Sequence, residues 1–153
     1  MASGSFTGVY RSYTLKTEWS STTNIAGNYS TITCNHYLIC ATYGSLYIGT
    51  RTNSCNVNGT SQNFSSPAIS TSGGITTKLG TTTYKVNHNS DGKKSVSAST
   101  VFNLQATISG VYVGTITASG TMVLDDIPRY ATSNQSLNSK TETSIKMNWA
   151  SDS

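Results

Sequence analysis

The sequence predicts an all-β protein, an antiparallel, jelly-roll-like β-sandwich of about eight or nine strands. Three observations predict this fold. Ser, Thr, Asn and Gly make up about half of the 153 residues, whereas the strong helix formers are scarce. Apolar and polar side chains alternate along most of the chain. Gly, Asn and Pro interrupt that alternation at short intervals, as turns between strands do.

The composition is that of a folded chain. Hydrophobic residues are 35% and charged residues 10% of the chain, below the roughly 45–50% and 25% of ordinary domains. A disordered chain would also combine high net charge with few aromatics. This chain has a net charge of only +4, with Tyr 9, Trp 2 and Phe 3. The Thr, Tyr and Val residues suit pleated strands.

The strands are predicted in order from their alternation. In the first, Tyr13–Trp19, Tyr13, Leu15 and Trp19 share one face while Thr14, Lys16 and Glu18 share the other. The later strands are Tyr29–Cys40, Leu46–Val57, a return through Phe64, Ile75–Leu79, Thr82–His88, Lys94–Leu104, Ala106–Tyr112 and Gly114–Leu124. Their predicted inward residues include Ile32, Cys34, Leu38, Cys40, Val96, Ala98, Phe102, Leu104, Ile116, Ala118, Met122 and Leu124. Ser and Thr cover the opposite faces.

A boundary is predicted after Leu124, because Pro128 cannot extend a strand ladder. The predicted organisation is a sandwich over residues 1–124, a linker over 125–131 and an incomplete fibronectin-like segment over 132–153. In that segment Ile145, Met147 and Trp149 alternate with polar residues like one core strand. One strand cannot bury its own face. The segment is therefore a truncated second domain, the favoured interpretation, or a piece that docks elsewhere.

Several function classes are disfavoured. No apolar run reaches the roughly 18 residues of a membrane span, and the first residues lack the apolar core of a secretory signal. The cations are spread along the chain, so we expect no nucleic-acid partner although the pI is about 9.0. Cys34, Cys40 and Cys55 fit no disulfide framework or zinc spacing. We interpret them as small buried hydrophobes of a chain folded in a reducing cytosol.

Candidate catalytic and metal residues are few, and we expect no enzyme, cofactor or metal. His36 and His88 lie beside no recognisable nucleophile motif and are interpreted as structural. Asp125 and Asp126 are adjacent, so they point apart on an extended chain. The segment 87–92 partly matches a calcium loop, but an Asx-stabilised hairpin turn with Gly92 at positive φ is favoured.

Tyrosines are the candidate ligand-binding residues. Tyr among Ser, Gly and Asn resembles the composition of antibody paratopes, and a flat ring can stack on sugar C–H groups. The alternative is a half-buried Tyr whose hydroxyl remains in water. The candidates are Tyr37, Tyr43 and Tyr47 around the loop 41–45, and Tyr10 and Tyr13 beside Arg11.

Several pieces, in their order along the chain, resemble the siphophage minor structural proteins of unknown function from phages of Gram-positive bacteria. These pieces are Met1–Phe6, Tyr13–Trp19, Ser65–Ser70, Leu79–Thr83, His88–Gly92 with Ser95-Val96, and Ala118–Thr121 leading to Leu124–Arg129. The resemblance covers about residues 1–130 of the chain. Residues 131–153 resemble the opening of a fibronectin type III module, with Trp149 as its core tryptophan.

The resemblance implies a virion protein of the tail tip or baseplate, folded in the host bacterial cytoplasm, with other tail proteins as partners. Host adhesion and homo-oligomers in the virion are further expectations, and no membrane partner is expected. The resemblance implies no catalytic residues. The second hypothesis is a carbohydrate-binding module that recognises cell-wall polysaccharide through Tyr37, Tyr43 and Tyr47. A third, a cell-wall hydrolase, lacks paired carboxylates or a Cys–His constellation.

Overall fold

The computed structural model describes residues 1–129, and the predicted fibronectin-like segment lies outside the described residues. The described chain is all-β and its strands pair antiparallel, which confirms the predicted fold class. One four-stranded sheet contains β1 (Ser3–Tyr10), β2 (Tyr13–Asn24), β3 (Tyr29–Cys40) and β8 (Ile75–Asn87). The other contains β12 (Ile116–Val123), β9 (Ser95–Phe102), β5 (Arg51–Val57) and β6 (Thr60–Ser66). Two ribbons pair β4 (Leu46–Ile48) with β7 (Ile69–Thr71) and β10 (Ala106–Ile108) with β11 (Val111–Val113).

The two sheets enclose one core. The strand orders are β1-β2-β3-β8 and β12-β9-β5-β6, so hairpins of neighbouring strands alternate with longer crossings between the sheets. Every residue that the alternation predicts to face inward is buried. The parity of apolar residues therefore identified the core faces correctly.

The sheets also meet along both of their rims. Strand β1 runs beside β12, and a Cβ on Gly8 would lie 1.8 Å from the carbonyl oxygen of Thr117. Only glycine permits this approach of two backbones. At the other rim, β6 runs beside β8, and Gln62 Nε2 donates to the carbonyl oxygen of Thr83 at 2.6 Å. The sandwich is in this respect a flattened barrel.

Three strand boundaries differ from the prediction. The chain from Ile75 to Asn87 is one strand, because a bulge opposite His36/Tyr37 absorbs the phase change that suggested two strands. The predicted strand Leu46–Val57 divides at Gly49-Thr50 into β4 and β5. The predicted strand Ala106–Tyr112 is a hairpin, because Ser109 and Gly110 both take positive φ. Strands β1 and β7 were not predicted at all, and the described residues contain twelve strands where about eight or nine were predicted.

The sandwich has two unlike ends. We call one the connection end, because it carries the β1–β2 hairpin and the connections that contain β4, β7 and β10–β11. We call the other the turn end, which carries the β2–β3, β5–β6 and β8–β9 turns. Residues 124–129, which include the described part of the predicted linker, lie against the turn end. There Ile127 is buried and its N–H donates to the carbonyl oxygen of Gly92 at 2.9 Å.

Candidate functional site

The loop 41–45 at the connection end carries the most exposed tyrosine. Tyr43 is 96% exposed at the tip of this loop. The base of the loop is fixed, because the Ala41 N–H donates to the Ser12 carbonyl at 2.9 Å and the Ala41 carbonyl accepts from Gly74 N–H at 3.0 Å. Because hydrogen bonds already order the backbone of this loop, binding of a partner through Tyr43 would cost little backbone entropy.

Tyr13 braces the same loop from below. Its ring is buried, and its hydroxyl donates to the carbonyl oxygen of Ser45. Tyr13 therefore fills the core and holds the loop, so it is not available to stack on a ligand. Tyr13 also differs from the predicted alternative of a half-buried ring with a hydroxyl in water, because its ring is buried and its hydroxyl donates to a protein carbonyl.

Tyr47 lies on β4 between two inward residues and is 67% exposed. Beside it is a shallow depression of about 240 Å³ between β4 and the β10–β11 hairpin. Its lining includes Tyr13, Ser45, Tyr47, Thr107 and Ser109. Rings, hydroxyls and backbone groups are thus presented together, which is the usual mixture in a weak polar binding site.

The β10–β11 hairpin extends this surface with Tyr112, which is exposed and pairs across the hairpin with Thr107. Val111 beside it is also exposed. This hairpin was not among the predicted binding residues, because its two strands were predicted as the single strand Ala106–Tyr112. The Ser109-Gly110 pair was the signal for a turn.

Tyr10 and Arg11 form the tip of the β1–β2 hairpin. Tyr10 is half-buried, and the Arg11 guanidinium carbon lies 5.2 Å from the centre of its ring, a cation–π contact. Arg11 takes φ 52°, so the tight hairpin sets its position. One ring face of Tyr10 is therefore occupied by Arg11.

Tyr37 does not join the other tyrosines. It lies on the outer face of the first sheet, in register with Lys16 on β2 and Lys78 on β8. Lys16 Nζ pairs with Glu18 Oε2 at 3.0 Å beside it. The five candidate tyrosines are therefore divided: Tyr43 and Tyr47 are exposed at the connection end, Tyr10 and Tyr13 support that end, and Tyr37 occupies a separate face.

The charges of the two ends differ. Of the described carboxylates, Asp91, Asp125 and Asp126 lie at the turn end and Glu18 lies midway along β2. Asp125 pairs with the N-terminal ammonium, and Asp126 pairs with Lys93 at 3.5 Å. Within residues 1–129, the connection end thus presents no carboxylate that could act as a general acid or base.

The core contains a polar cluster around His36, which is 0% exposed and stacks on Phe64 with ring centres 4.4 Å apart. Its Nδ1 is 2.8 Å from Thr17 Oγ1, and its Nε2 is 2.9 Å from Thr82 Oγ1. Thr17 Oγ1 is in turn 2.7 Å from Thr100 Oγ1 on the other sheet. The cluster joins the two sheets and its residues are buried, which agrees with the structural interpretation of His36.

His88 has a similar role at the turn end. Its Nδ1 donates to the carbonyl oxygen of Gly92 at 2.7 Å, and its Nε2 is 2.7 Å from Ser30 Oγ. Gly92 takes φ 85°, and Lys93 N–H donates to Asp91 Oδ1 at 2.9 Å. The segment 87–92 therefore folds as an Asx-stabilised turn, as favoured over a calcium loop. It is not the predicted hairpin, however, because it joins β8 of one sheet to β9 of the other. Among residues 1–129, no three His, Cys, Asp or Glu side chains are grouped to hold a metal ion.

The outer face of the second sheet is covered by small polar side chains, as predicted. One row crosses all its strands through Ser119, Ser99, Asn56 and Ser61. A shallow trough of about 380 Å³ runs along this row. The face offers hydroxyls and amides without charge, and it is open to solvent.

Comparison with known proteins gives no further evidence: no family model, curated protein or solved structure matches the chain. Residues 1–129 contain no helix with the length and hydrophobicity of a membrane span.

Proposed function

We propose that this domain is a non-enzymatic structural module of a phage tail tip or baseplate, and that it contacts its partners through the connection end. The sequence resemblance supports the place in the virion. The geometry supports the contact surface, and one observation carries it: of the nine large hydrophobic side chains exposed in residues 1–129, six lie at this end, and the three exposed tyrosines are among them. The six are Val9, Tyr43, Tyr47, Ile75, Val111 and Tyr112, whereas Met1, Ile25 and Val123 lie at the turn end.

The connection end has the properties of a protein contact surface. Tyr is enriched where partners bind, because its ring buries a large area with few rotatable bonds. Tyr43 stands on a loop held by Tyr13 and by backbone hydrogen bonds. Such a surface binds weakly for each copy, and many copies on one virion raise the overall avidity.

Protein analysis of purified virions tests the place in the particle. The chain should be found in stoichiometric amounts with the tail proteins of a phage that encodes it. Its absence from purified virions would remove the first half of the proposal.

A second function is carbohydrate recognition by the same end. The depression beside Tyr47 favours it, because a ring and the Thr107 and Ser109 hydroxyls line one concave site. Such a site can stack on a sugar ring and hydrogen-bond its hydroxyls. The expected ligand is host cell-wall polysaccharide.

A glycan array with the purified chain distinguishes the two functions. Recognition predicts binding to host polysaccharide that is lost in Tyr43→Ala and Tyr47→Ala. Tyr37→Ala is the matched control, because Tyr37 lies on a different face, and it should bind as the parent does. Absence of binding to every host glycan leaves the structural function, whereas turnover of cell-wall substrate contradicts both.

A further inference from the structure

The two ribbons at the connection end have open strand edges. β4 pairs with β7 and β10 pairs with β11, and in the described chain neither ribbon has a third strand. The outer strands of the two four-stranded sheets differ from them, because each runs beside a strand of the opposite sheet. An open strand edge carries backbone N–H and C=O groups with which a further strand can pair.

The open edges of β4 and β10 border the same depression, the one beside Tyr47. Its lining includes Leu46 and Tyr47 of β4 and all of β10 (Ala106–Ile108), whereas the lining residues found within 1–129 include none from β7 or β11. Because β7 and β11 lie along the opposite edges of their partners, the depression is a gap between two unpaired edges. Its volume is about 240 Å³.

The turn of the β10–β11 hairpin shows which backbone groups point into this gap. Ser109-Gly110 take φ 49° and 83°, as the two central residues of a type I′ turn do. The residues that flank such a turn, Ile108 and Val111, form a hydrogen-bonded pair. Pairs alternate along an antiparallel ladder, so the next pair, Thr107 and Tyr112, is not hydrogen-bonded. The N–H and C=O of Thr107 therefore point away from β11 and toward the gap.

The side chains of β4 and β10 have the same orientation relative to the core. Their inward residues are buried or pack against the core, and these are Leu46, Ile48, Ala106 and Ile108. Tyr47 and Thr107 lie between them on the exposed face. The two strands thus lie in one layer with a gap between them. A strand placed in the gap would continue the layer, with alternate side chains toward the core and toward solvent.

Arg51 fixes one end of the gap. This residue begins β5 shortly after β4 ends, and its guanidinium donates to the carbonyl oxygens of Leu104 and Gln105 at 3.1 and 3.4 Å. Leu104 and Gln105 directly precede β10. The side chain therefore holds the base of the β10–β11 hairpin beside the end of β4. A gap that is already held open lowers the cost of binding.

We propose that the connection end takes up an extended segment of a partner protein as a guest strand between β4 and β10. The guest strand hydrogen-bonds to both neighbours and gives the order β7-β4-guest-β10-β11. Because β4 leads toward Arg51 and β10 leads away from it, the guest pairs parallel with one and antiparallel with the other, as in a mixed sheet. Main-chain hydrogen bonds supply most of the affinity in such strand addition.

Charge and hydrogen bonding define the chemistry of this partner. Within residues 1–129, the connection end carries Arg11 and Arg51 but no carboxylate, so a neutral or acidic segment fits it. A sugar could use the Tyr47 ring and the Thr107 hydroxyl, but only a polypeptide strand matches two open backbone edges. The inference rests on the proposed contact surface and names the partner that this surface binds.

The test uses the full 153-residue chain, with a random heptapeptide library with blocked ends as the probe. A selected peptide is added to the isotope-labelled chain, and amide hydrogen exchange is measured by NMR. Exchange at the Thr107 N–H should slow at least about fivefold at saturating peptide, the effect of one net hydrogen bond. Tyr112 is the internal control, because its N–H leaves the hairpin on the opposite side and should exchange as in the free chain.

Methylation of single backbone nitrogens in the selected peptide tests whether both edges are used. For a strand paired on both sides, each central methyl group should weaken the affinity at least about fivefold. Methyl groups that weaken binding only at alternate positions would show pairing with one edge and would overturn insertion between the ribbons.

Two substitutions of Thr107 separate its backbone from its hydroxyl. Thr107→Pro removes the N–H, which proline can do at an open strand edge without breaking the hairpin, whereas Thr107→Ala removes only the hydroxyl. The proline variant should bind the peptide at least about fivefold more weakly than the alanine variant. Equal affinities in the two variants would contradict the proposal. If Thr107→Pro fails to fold, the methylated peptides decide.

The remaining outcomes identify other occupants. A Thr107 N–H already protected in the chain alone would mean that this chain, or a second copy, fills the gap, and would overturn the proposal. Failure to select any peptide, or binding of host polysaccharide alone that is lost in Tyr47→Ala, would also overturn it. The presence of the chain in purified virions is measured separately, so failure of this inference is distinguishable from failure of the proposed function.

Discussion

The turn end and the connection end of this sandwich are built from different kinds of interaction. At the turn end, short turns bond to one another through backbone groups: His88 N–H donates to the Asn28 carbonyl and Ile127 N–H to the Gly92 carbonyl, both at 2.9 Å. Ion pairs of Asp125 and Asp126 add to them. At the connection end, longer segments fold into ribbons that leave Tyr43 and Tyr47 exposed.

The difference shows that the groups that stabilise this domain and the groups exposed for contact with partners lie at different ends. Most of the described carboxylates lie at the turn end, where two of them pair with ammonium groups. The exposed tyrosines lie at the connection end and contribute little to the core. Substitutions at the two ends should therefore have different consequences, even when the substitutions are chemically the same.

The largest effect expected at the turn end is that of Gly92→Ala. A Cβ at Gly92, where φ is +85°, would lie 1.9 Å from the Ile127 carbonyl oxygen. The variant should lose at least about 3 kcal/mol of unfolding free energy, measured by urea denaturation. Gly110→Ala at the connection end has nearly the same φ, +83°, but open space. It should lose only about 1 kcal/mol, and equal losses in both variants would contradict the comparison.

His88→Ala comes next. The substitution leaves Ser30 Oγ and the Gly92 carbonyl without their buried partner. The expected loss is about 2–3 kcal/mol of unfolding free energy by urea denaturation. Ser90→Ala, on the exposed part of the same turn, is the control and should change stability by less than about 0.5 kcal/mol. A His88 variant as stable as this control would mean that the turn end is not held by its buried polar contacts.

Alkaline pH should lower the unfolding free energy of the chain through Tyr84, a buried residue of the core. Burial raises the pKa of Tyr84, whose hydroxyl donates to the Cys55 carbonyl at 2.7 Å. The folded chain then keeps a proton that the unfolded chain loses above about pH 10. The stability is complete below that pH and falls as pH rises, by at most about 1.4 kcal/mol per pH unit for this group.

Tyr84→Phe is the variant that isolates this effect. It should be less stable at neutral pH, because the Cys55 carbonyl loses its donor, but its unfolding free energy should fall less steeply above pH 10. Urea denaturation across pH 8–11 gives both slopes. Parallel slopes for the parent and the variant would show that Tyr84 does not cause the alkaline loss.

The smallest effect is expected for Tyr43→Ala at the connection end. Because Tyr43 is 96% exposed, its removal should change the unfolding free energy by less than about 0.5 kcal/mol. Tyr13→Ala, which empties a buried site and frees the loop 41–45, should lose about 3–5 kcal/mol, as large aromatic deletions do. Thermal or urea unfolding of the two variants tests whether the tyrosines divide into exposed and supporting roles.

The sequence predicted most of the core but less of the surface. Parity alone placed residues such as Leu15, Ile32 and Phe102 inside, because a strand has only two faces. The Asn58-Gly59 pair is a local hairpin signal of the same kind, and both residues take positive φ. Strand β1 was missed, since its residues Ser3–Tyr10 alternate only weakly in polarity. Its place in the fold depends on pairing with β2 and on contact with β12, and β12 is distant in sequence.

The candidate site was predicted only in part, for a related reason. Composition selected tyrosines, but it could not separate buried Tyr13 from exposed Tyr43, which depends on how the loop 41–45 folds back. Parity does place Tyr37 and Tyr47 outward, yet the sheet order decides that they occupy different surfaces. Contacts between sheets, such as that of Thr17 with Thr100, are likewise not encoded in any local pattern.

The meeting of β1 with β12, and of β6 with β8, has a consequence for crowded assemblies. An exposed outer strand is a template on which a foreign strand can pair and begin an aggregate. Here each such strand already has a companion from the opposite layer. Copies of the domain held at high local concentration should therefore contact one another through side chains. The edge strands of their four-stranded sheets should not pair into a continuous sheet.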